Sequence, residues 1–175
     1  MGLGTLEWTP AVTRADLLAE PVAKAVHDAG ILVAEIDPDL ADTAAFCERY
    51  SVGLDVSANC VVVAGKRGGE LRYAACLVLA DSRADVNGVI RRELEVRKAS
   101  FAPRADAVRL TGMEYGGITP LGLPPDWPVF VDAEVAKADE LVIGSGLRRS
   151  KLAVSGALLA ALPSATVVPL TLPID

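Results

Sequence analysis

Residues 59–80, "NCVVVAGKRGGELRYAACLVLA", narrow the fold more than any other stretch of this chain. Two β-rich runs flank "GKRGGE", and a glycine-bearing connection between such runs reads as an antiparallel hairpin. Helical patterns surround it. "PVAKAVHDAG" places Val22, Ala25, Val26 and Ala29 at helical spacing, with Pro21 suited to the first turn and Gly30 to the stop. "DLADTAAFCERYSV" is apolar at Leu40, Ala44 and Cys47, "RADVNGVIRRELEV" turns Val86, Val89, Ile90 and Leu94 inward, and "PRADAVRL" opens a short helix at Pro103. Strands are expected at "ILVAEI", "KASFA", "PVFVD", "ELVIGS", "KLAVS" and "ATVVPL", with a helix at "SGALLAAL". Hairpins mixed with helices call for an α/β fold with a mixed sheet, not the strict alternation of a dinucleotide-binding fold.

The 175 residues suit a single domain spanning 1–175. Apolar residues reach 51% while aromatics are only 5%, so the core is built from Val, Leu, Ala and Ile. No run approaches the roughly 18–20 apolar residues that span a bilayer. The first ten residues lack a basic start followed by an apolar stretch, so no secretory signal and no membrane partner are expected. Cys47, Cys60 and Cys76 lie in apolar patterns and read as buried free thiols of a cytoplasmic protein. One histidine and no CxxC pair leave no metal site to expect, and no cofactor motif stands out. Net charge is −6, but Arg83–Arg109 and Arg148–Lys151 each carry +3, leaving −12 elsewhere. A polyanion can be met at those two segments while the remaining surface repels it.

Hydrolytic devices are sparse. His27 is the only histidine, placed on a helix beside Asp28, and there is no G-x-S-x-G elbow. "VIGSGLRRSK" runs a strand into Gly144–Gly146 with cations behind, but without P-loop spacing and with a strand following, so nucleotide binding there is a weak third option. The unusual segment is "GMEYGGITPLGLP" (112–124), a long connector holding Gly112, Gly116, Gly117 and Gly122 with Pro120 and Pro124. Glycines at 116 and 117 leave the backbone open to close approach, and Pro120 stiffens it four residues later.

"GGITPLG" after "LTG", then "VDAEV" and "VIGSGLRRSKLAV", resembles the YbaK/ProX family of aminoacyl-tRNA editing domains. The hallmark Gly-x-x-x-Pro is matched by Gly116 to Pro120. Upstream, "DTAAFCERYSV" matches the Thr-containing helix, "NCVVVAG" the central strand, and "RKASFAPRADAVRLTG" the approach to the loop, so the likeness covers about residues 20–170. It implies a single domain with a curved mixed β-sheet, a partial barrel, and flanking helices.

The resemblance also implies a deacylase acting in trans, which cleaves the ester joining a wrong amino acid to the terminal adenosine of tRNA. Its partners would be the acceptor end of a mischarged tRNA and an aminoacyl-tRNA synthetase. Gly116, Gly117 and Pro120 form the expected catalytic cradle, presenting main-chain N–H groups to the substrate carbonyl. Asn59 joins them, at a strand position where family members often carry lysine. Near Lys151 some members have an acidic residue, so the sign is reversed. Thr43, Lys98, Ile118, Thr119, Ser145 and Gly146 are the expected substrate-binding residues. Arg91–Lys98 and Arg148–Lys151 are expected to meet the acceptor stem. The absent lysine keeps a second class open, a protein of this fold that binds an aminoacyl ester, an amino acid or a protein partner without turnover.

Overall fold

The structure, a computed structural model, describes residues 3–28 and 30–172. Strand β1 (Thr9–Pro10) leads to α1 (Glu20–Ala25), β2 (Leu32–Glu35) and α2 (Thr43–Tyr50). The hairpin is β3 (Ala58–Arg67) and β4 (Glu70–Leu79), followed by β5 (Arg83–Ala84), α3 (Arg91–Leu94), β6 (Ala99–Phe101) and α4 (Arg104–Thr111). After the glycine-rich connector come β7 (Val129–Asp132), α5 (Ala133–Lys137), β8 (Leu141–Gly144), β9 (Ser150–Val154), α6 (Gly156–Ala160), β10 (Ala165–Val168) and β11 (Thr171–Leu172).

The hairpin is longer and tighter than its sequence suggests. Arg67 pairs with Glu70, leaving Gly68 and Gly69 as a two-residue turn with φ of +59° and +83°. Positive φ at both central residues gives the turn a twist that matches the strands, and glycine adopts it without strain. From this hairpin the main sheet grows in the order β10-β7-β4-β3-β6. Strands β4, β7 and β10 run parallel, and β6 closes the other edge antiparallel to β3. A second sheet, β1-β2-β9-β8, is wholly antiparallel, and β5 pairs with β11 apart from both. One parallel bridge, Ser57 to Val142, sets the start of β3 beside β8. The result is a mixed α/β fold with flanking helices, in which the sheets lean together without closing a barrel.

Between the sheets lies a core of branched aliphatic side chains, among them Val33, Leu77, Val131, Leu141, Leu152 and Leu159, each fully buried. At roughly 1.5–3 kcal/mol per buried Val or Leu, this layer holds the two sheets in register. The aliphatic composition is used as expected.

Three local expectations are corrected. The first helix ends at Ala25, and Val26 turns extended, so His27 lies in a loop instead of on a helix. The Asp28 side chain accepts the Gly30 N–H at 2.7 Å, a local bond that competes with helix continuation; the expected helical Ala29 lies outside the described residues. The single helix expected over 83–96 is three pieces: strand β5, a wide π-type turn over Val86–Ile90, and α3. Asp85 causes the break by capping the N–H groups of Gly88 and Val89, yet Ile90 and Leu94 still face inward and are buried. Helix α5 was not expected inside "VDAEV"; buried Asp132 nucleates it by accepting the Glu134 N–H at 3.1 Å.

Candidate active site

A cavity of about 420 Å³ opens where the two sheets lean together. Its polar wall comes from Asp42 and Thr43 at the start of α2, Asn59 on β3 and Lys151 on β9. Its apolar wall includes Val62, Ala107 and Ile118, which pack in one cluster with Trp127. At the mouth stand two exposed aromatic rings, Phe101 at 62% and Tyr115 at 46% exposure. The Arg104 guanidinium lies 4.6 Å from the centre of the Tyr115 ring. Rings so placed present stackable faces to solvent.

Asn59 is tethered to the start of α2. The Thr43 hydroxyl donates to Asn59 Oδ1 at 2.6 Å, and the amide hydrogens have no acceptor among the described residues. Helix α2 makes this possible by starting at Thr43, with its first turn directed at the start of β3.

The glycine loop is bare for a different reason from the one its sequence suggests. Gly116 has φ +91°, and a Cβ there would collide with the Arg148 guanidinium. Arg148 donates to the Tyr115 carbonyl at 3.2 Å and the Pro38 carbonyl at 3.1 Å, and lies 3.6 Å from the Asp42 carboxylate. A Cβ at Gly117 would sit 2.8–3.0 Å from the Leu147 backbone, and the Gly117 N–H already donates to the Glu114 carbonyl at 3.0 Å. The two glycines therefore let two loops interlock. Gly117 is not a free donor, so the expected pair of main-chain donors is reduced, and Gly116 alone of the two lines the cavity.

Lys151 is the group whose role the sequence hid. It is only 8% exposed, its Nζ donates to the Ala41 carbonyl at 3.0 Å and lies 5.1 Å from the centre of the Phe46 ring. Burial pulls its pKa down to about 8; Cys47 and Asp42 oppose the shift and Arg148 adds to it. Cys60 also lines the cavity, but burial pushes its thiol up to about 12, so essentially no thiolate exists near neutral pH.

Residues 37–162 match the aminoacyl-tRNA editing domain family. The chain belongs to that family. No curated protein matches it in sequence. Among solved structures, one proposed to be a trans-editing enzyme for prolyl tRNA synthetase superposes on the editing domain with a TM-score of 0.73 at 20% identity, covering 94% of this chain and 99% of that one. A scaffold used for computational epitope grafting gives a TM-score of 0.76 at 21% identity, with 89% and 97% coverage. A hypothetical protein gives 0.70 at 20%, with 79% and 89% coverage. At such identities the likeness establishes the fold.

Within this editing domain the expected site residues divide. Thr43, Asn59, Gly116 and Ile118 meet at the cavity. Pro120 and Thr119 are buried behind the loop, and the Thr119 hydroxyl has no partner among the described residues. Ser145 is fully buried and bonds Ser150 and the Leu147 carbonyl, so it shapes the turn. Gly146 packs against Val22 and Met113. Lys98 is exposed and outside the lining. Of the cations expected at 148–151, Lys151 is buried and Arg148 is half-buried against the loop, while Arg149 stays exposed and donates to the Asp16 carbonyl. Phe101 and Tyr115 were missed, although an exposed aromatic beside a strand end and another inside the glycine loop were both visible in the sequence.

Proposed function

We propose that this chain is a trans-acting aminoacyl-tRNA deacylase that hydrolyses the ester of a mischarged tRNA. The observation that carries the reading is the Asn59 amide, hydrogen-bonded to Thr43 on the wall of a two-sided cavity. The apolar wall around Val62, Ala107 and Ile118 suits a small aliphatic amino-acid side chain. The polar wall suits the ester and the ribose. Phe101 and Tyr115 at the mouth supply stacking faces for the terminal base, and stacking is indifferent to base identity. Family membership and the likeness to a proposed trans-editing enzyme support the same assignment.

In this reaction water adds to the ester carbonyl carbon, the bond from that carbon to the ribose oxygen breaks, and the ribose oxygen takes a proton. The amino acid leaves as its carboxylate. Asn59 Nδ2 is placed to donate to the carbonyl oxygen as charge develops there, a contribution that grows in the transition state. The ester is activated enough that positioning of water and carbonyl can suffice without a covalent nucleophile. Size selection by the apolar wall contributes only about 1–3 kcal/mol per methylene, which is the physical reason for a second sieve after charging.

The test is hydrolysis by the purified protein of a panel of aminoacyl-tRNAs that includes alanine on proline tRNA and proline on cysteine tRNA. Release of amino acid from one mispaired species, at rates well above its spontaneous loss, is the expected result. A folded protein that cleaves none of them supports the alternative, a binding protein of the same fold, which the replacement of a family lysine by Asn59 favours.

A further inference from the structure

Lys151 is the most unusual side chain of the cavity. A lysine is rarely buried without a carboxylate beside it, because removing an ammonium from water is unfavourable unless something replaces the lost solvation. Among the described residues no salt bridge includes Lys151; the nearby carboxylate, Asp42, is largely exposed and engaged with Arg148. The Ala41 carbonyl takes one of its three hydrogens. The centre of the Phe46 ring lies 5.1 Å from the same nitrogen, and among the described residues no other hydrogen-bond partner holds this side chain, which lines the cavity.

Its position in the sheets adds a second reason. Lys151 pairs with Gly144 across β9 and β8, and the Ser57–Val142 bridge carries β3 alongside β8 in parallel, bringing Asn59 level with Gly144. All three line the cavity. Gly144 has no side chain, and the loop backbone at Gly117 and Ile118 takes that place between Asn59 and Lys151, which both line the one cavity. A Cβ on Gly144 would come within 2.5 Å of the Gly117 carbonyl and 2.8 Å of that of Ile118, so the missing side chain is what lets the loop descend to this level. With the Gly117 N–H spent inside its turn, the Asn59 amide and the Lys151 ammonium are the side-chain donors at this level.

We propose that Lys151 is the cationic half of an oxyanion site, its ammonium and the Asn59 amide together holding the carbonyl oxygen of the acyl ester as that oxygen becomes negative. The inference rests on the deacylase reading and extends it to a residue on β9. A buried ammonium is weakly solvated in the resting protein and is satisfied when an anionic oxygen forms, so its contribution falls on the transition state and not on ground-state binding. Replacing Asn59 by a second cation would place two like charges on the wall of one cavity. An amide opposite Lys151 is the arrangement that avoids this.

The titration of Lys151 offers a readout that a structural lysine would not give. Cys47 from α2, Asp42 ahead of α2 and Arg148 from the turn before β9 are the ionisable groups that face it. Loss of the ammonium with rising pH removes the charge, so the rate constant for ester cleavage in the wild type should fall through about pH 8.

The experiment compares wild type with Lys151→Met, Lys151→Gln and Lys151→Arg, using two non-cleavable adenosine analogues. One carries a tetrahedral anionic phosphonate in place of the ester, and the other a planar amide. Binding of both is measured by calorimetry, and single-turnover cleavage of aminoacyl-tRNA is followed from pH 6 to 9.5. Wild type should bind the phosphonate at least 10-fold more tightly than the amide. Lys151→Met and Lys151→Gln should erase that preference, leave amide affinity within about 3-fold, cut cleavage roughly 100-fold and lose the alkaline limb. Lys151→Arg should keep part of the preference.

If the neutral variants retain the phosphonate preference, the proposal is overturned, whatever happens to turnover. If wild type cleaves no ester but the preference exists and depends on Lys151, the charge assignment stands and the deacylase reading fails. If wild type binds neither analogue, both fail. A minimal aminoacyl-adenosine without phosphate separates the oxyanion from the terminal phosphodiester as the anion held. A defect of Lys151→Met confined to phosphate-bearing substrates would also overturn the proposal.

Discussion

The Thr43 hydroxyl and the Asn59 side-chain oxygen are joined by a 2.6 Å hydrogen bond across 16 residues of chain. That bond ties the Asn59 amide to the first turn of α2 at the cavity wall. Thr43→Val keeps the shape of the side chain but removes the donor. We expect it to lower stability by about 1 kcal/mol and kcat/KM about 10-fold, because an untethered amide is no longer held in place at the cavity wall. Thr43→Ser should restore most of both. Kinetics on the three proteins beside thermal melts check this.

Gly116 and Arg148 should be energetically coupled. Alanine at 116 is strained by its φ of +91° and collides with the guanidinium, so Gly116→Ala should cost about 1–3 kcal/mol. Arg148→Ala removes the collision, though it also frees the Tyr115 and Pro38 carbonyls. The double variant should therefore be more stable than the two separate losses predict, by about 1 kcal/mol in a denaturant double-mutant cycle. Additive losses would mean that the loops do not interlock as observed.

Lys151 should make the protein less stable near neutral pH. Its folded pKa of about 8 lies below the ordinary 10.5, a difference on the order of 3 kcal/mol. Below pH 8 both states are protonated and the full penalty applies. Between pH 8 and 10.5 the unfolded chain holds a proton that the folded one has lost, so stability rises with pH; above 10.5 the penalty is gone. Cys60 and Cys76 act in the opposite sense above pH 9, since burial keeps both thiols protonated in the folded state. The difference between wild type and Lys151→Met isolates the lysine. The variant should be about 2–3 kcal/mol more stable at pH 7, and the gain should shrink steadily towards pH 10.5.

Phe101 and Tyr115 should contribute to binding and little to folding. Each is exposed at the cavity mouth, so alanine there should change stability by less than about 0.5 kcal/mol. Base stacking on an aromatic ring contributes about 1–3 kcal/mol, so KM for aminoacyl-tRNA should rise roughly 5- to 100-fold with kcat nearly intact. A fluorescent purine at the tRNA 3′ end should be quenched on binding to wild type and not to the double alanine variant.

Much of the fold was legible because its signals are local. The β3–β4 hairpin, the strand at β8 and the helix opened by Pro103 follow from residue type and short-range spacing. The first helix and the 83–96 segment misled because Asp28 and Asp85 each capture backbone N–H groups, a choice made by one side chain within an otherwise periodic pattern. In the site, Thr43, Asn59, Gly116 and Ile118, which the family resemblance singles out, all line the cavity. The surroundings of Gly117 and Lys151 were not legible, because both depend on distant segments: the Leu147 backbone packs over Gly117, and the Ala41 carbonyl and the cavity meet Lys151. Local sequence carries no record of which loop lands on which strand.

The central claim is that the cavity around Asn59 is where the ester is cleaved. Single-turnover hydrolysis of the preferred mischarged tRNA by wild type and by Asn59→Ala, at matched folding by thermal melt, tests it most directly. We predict that the variant binds the tRNA within a few-fold of wild type and cleaves it about 100-fold more slowly, the loss expected for one transition-state donor. Cleavage at the wild-type rate by a folded Asn59→Ala protein would contradict the account.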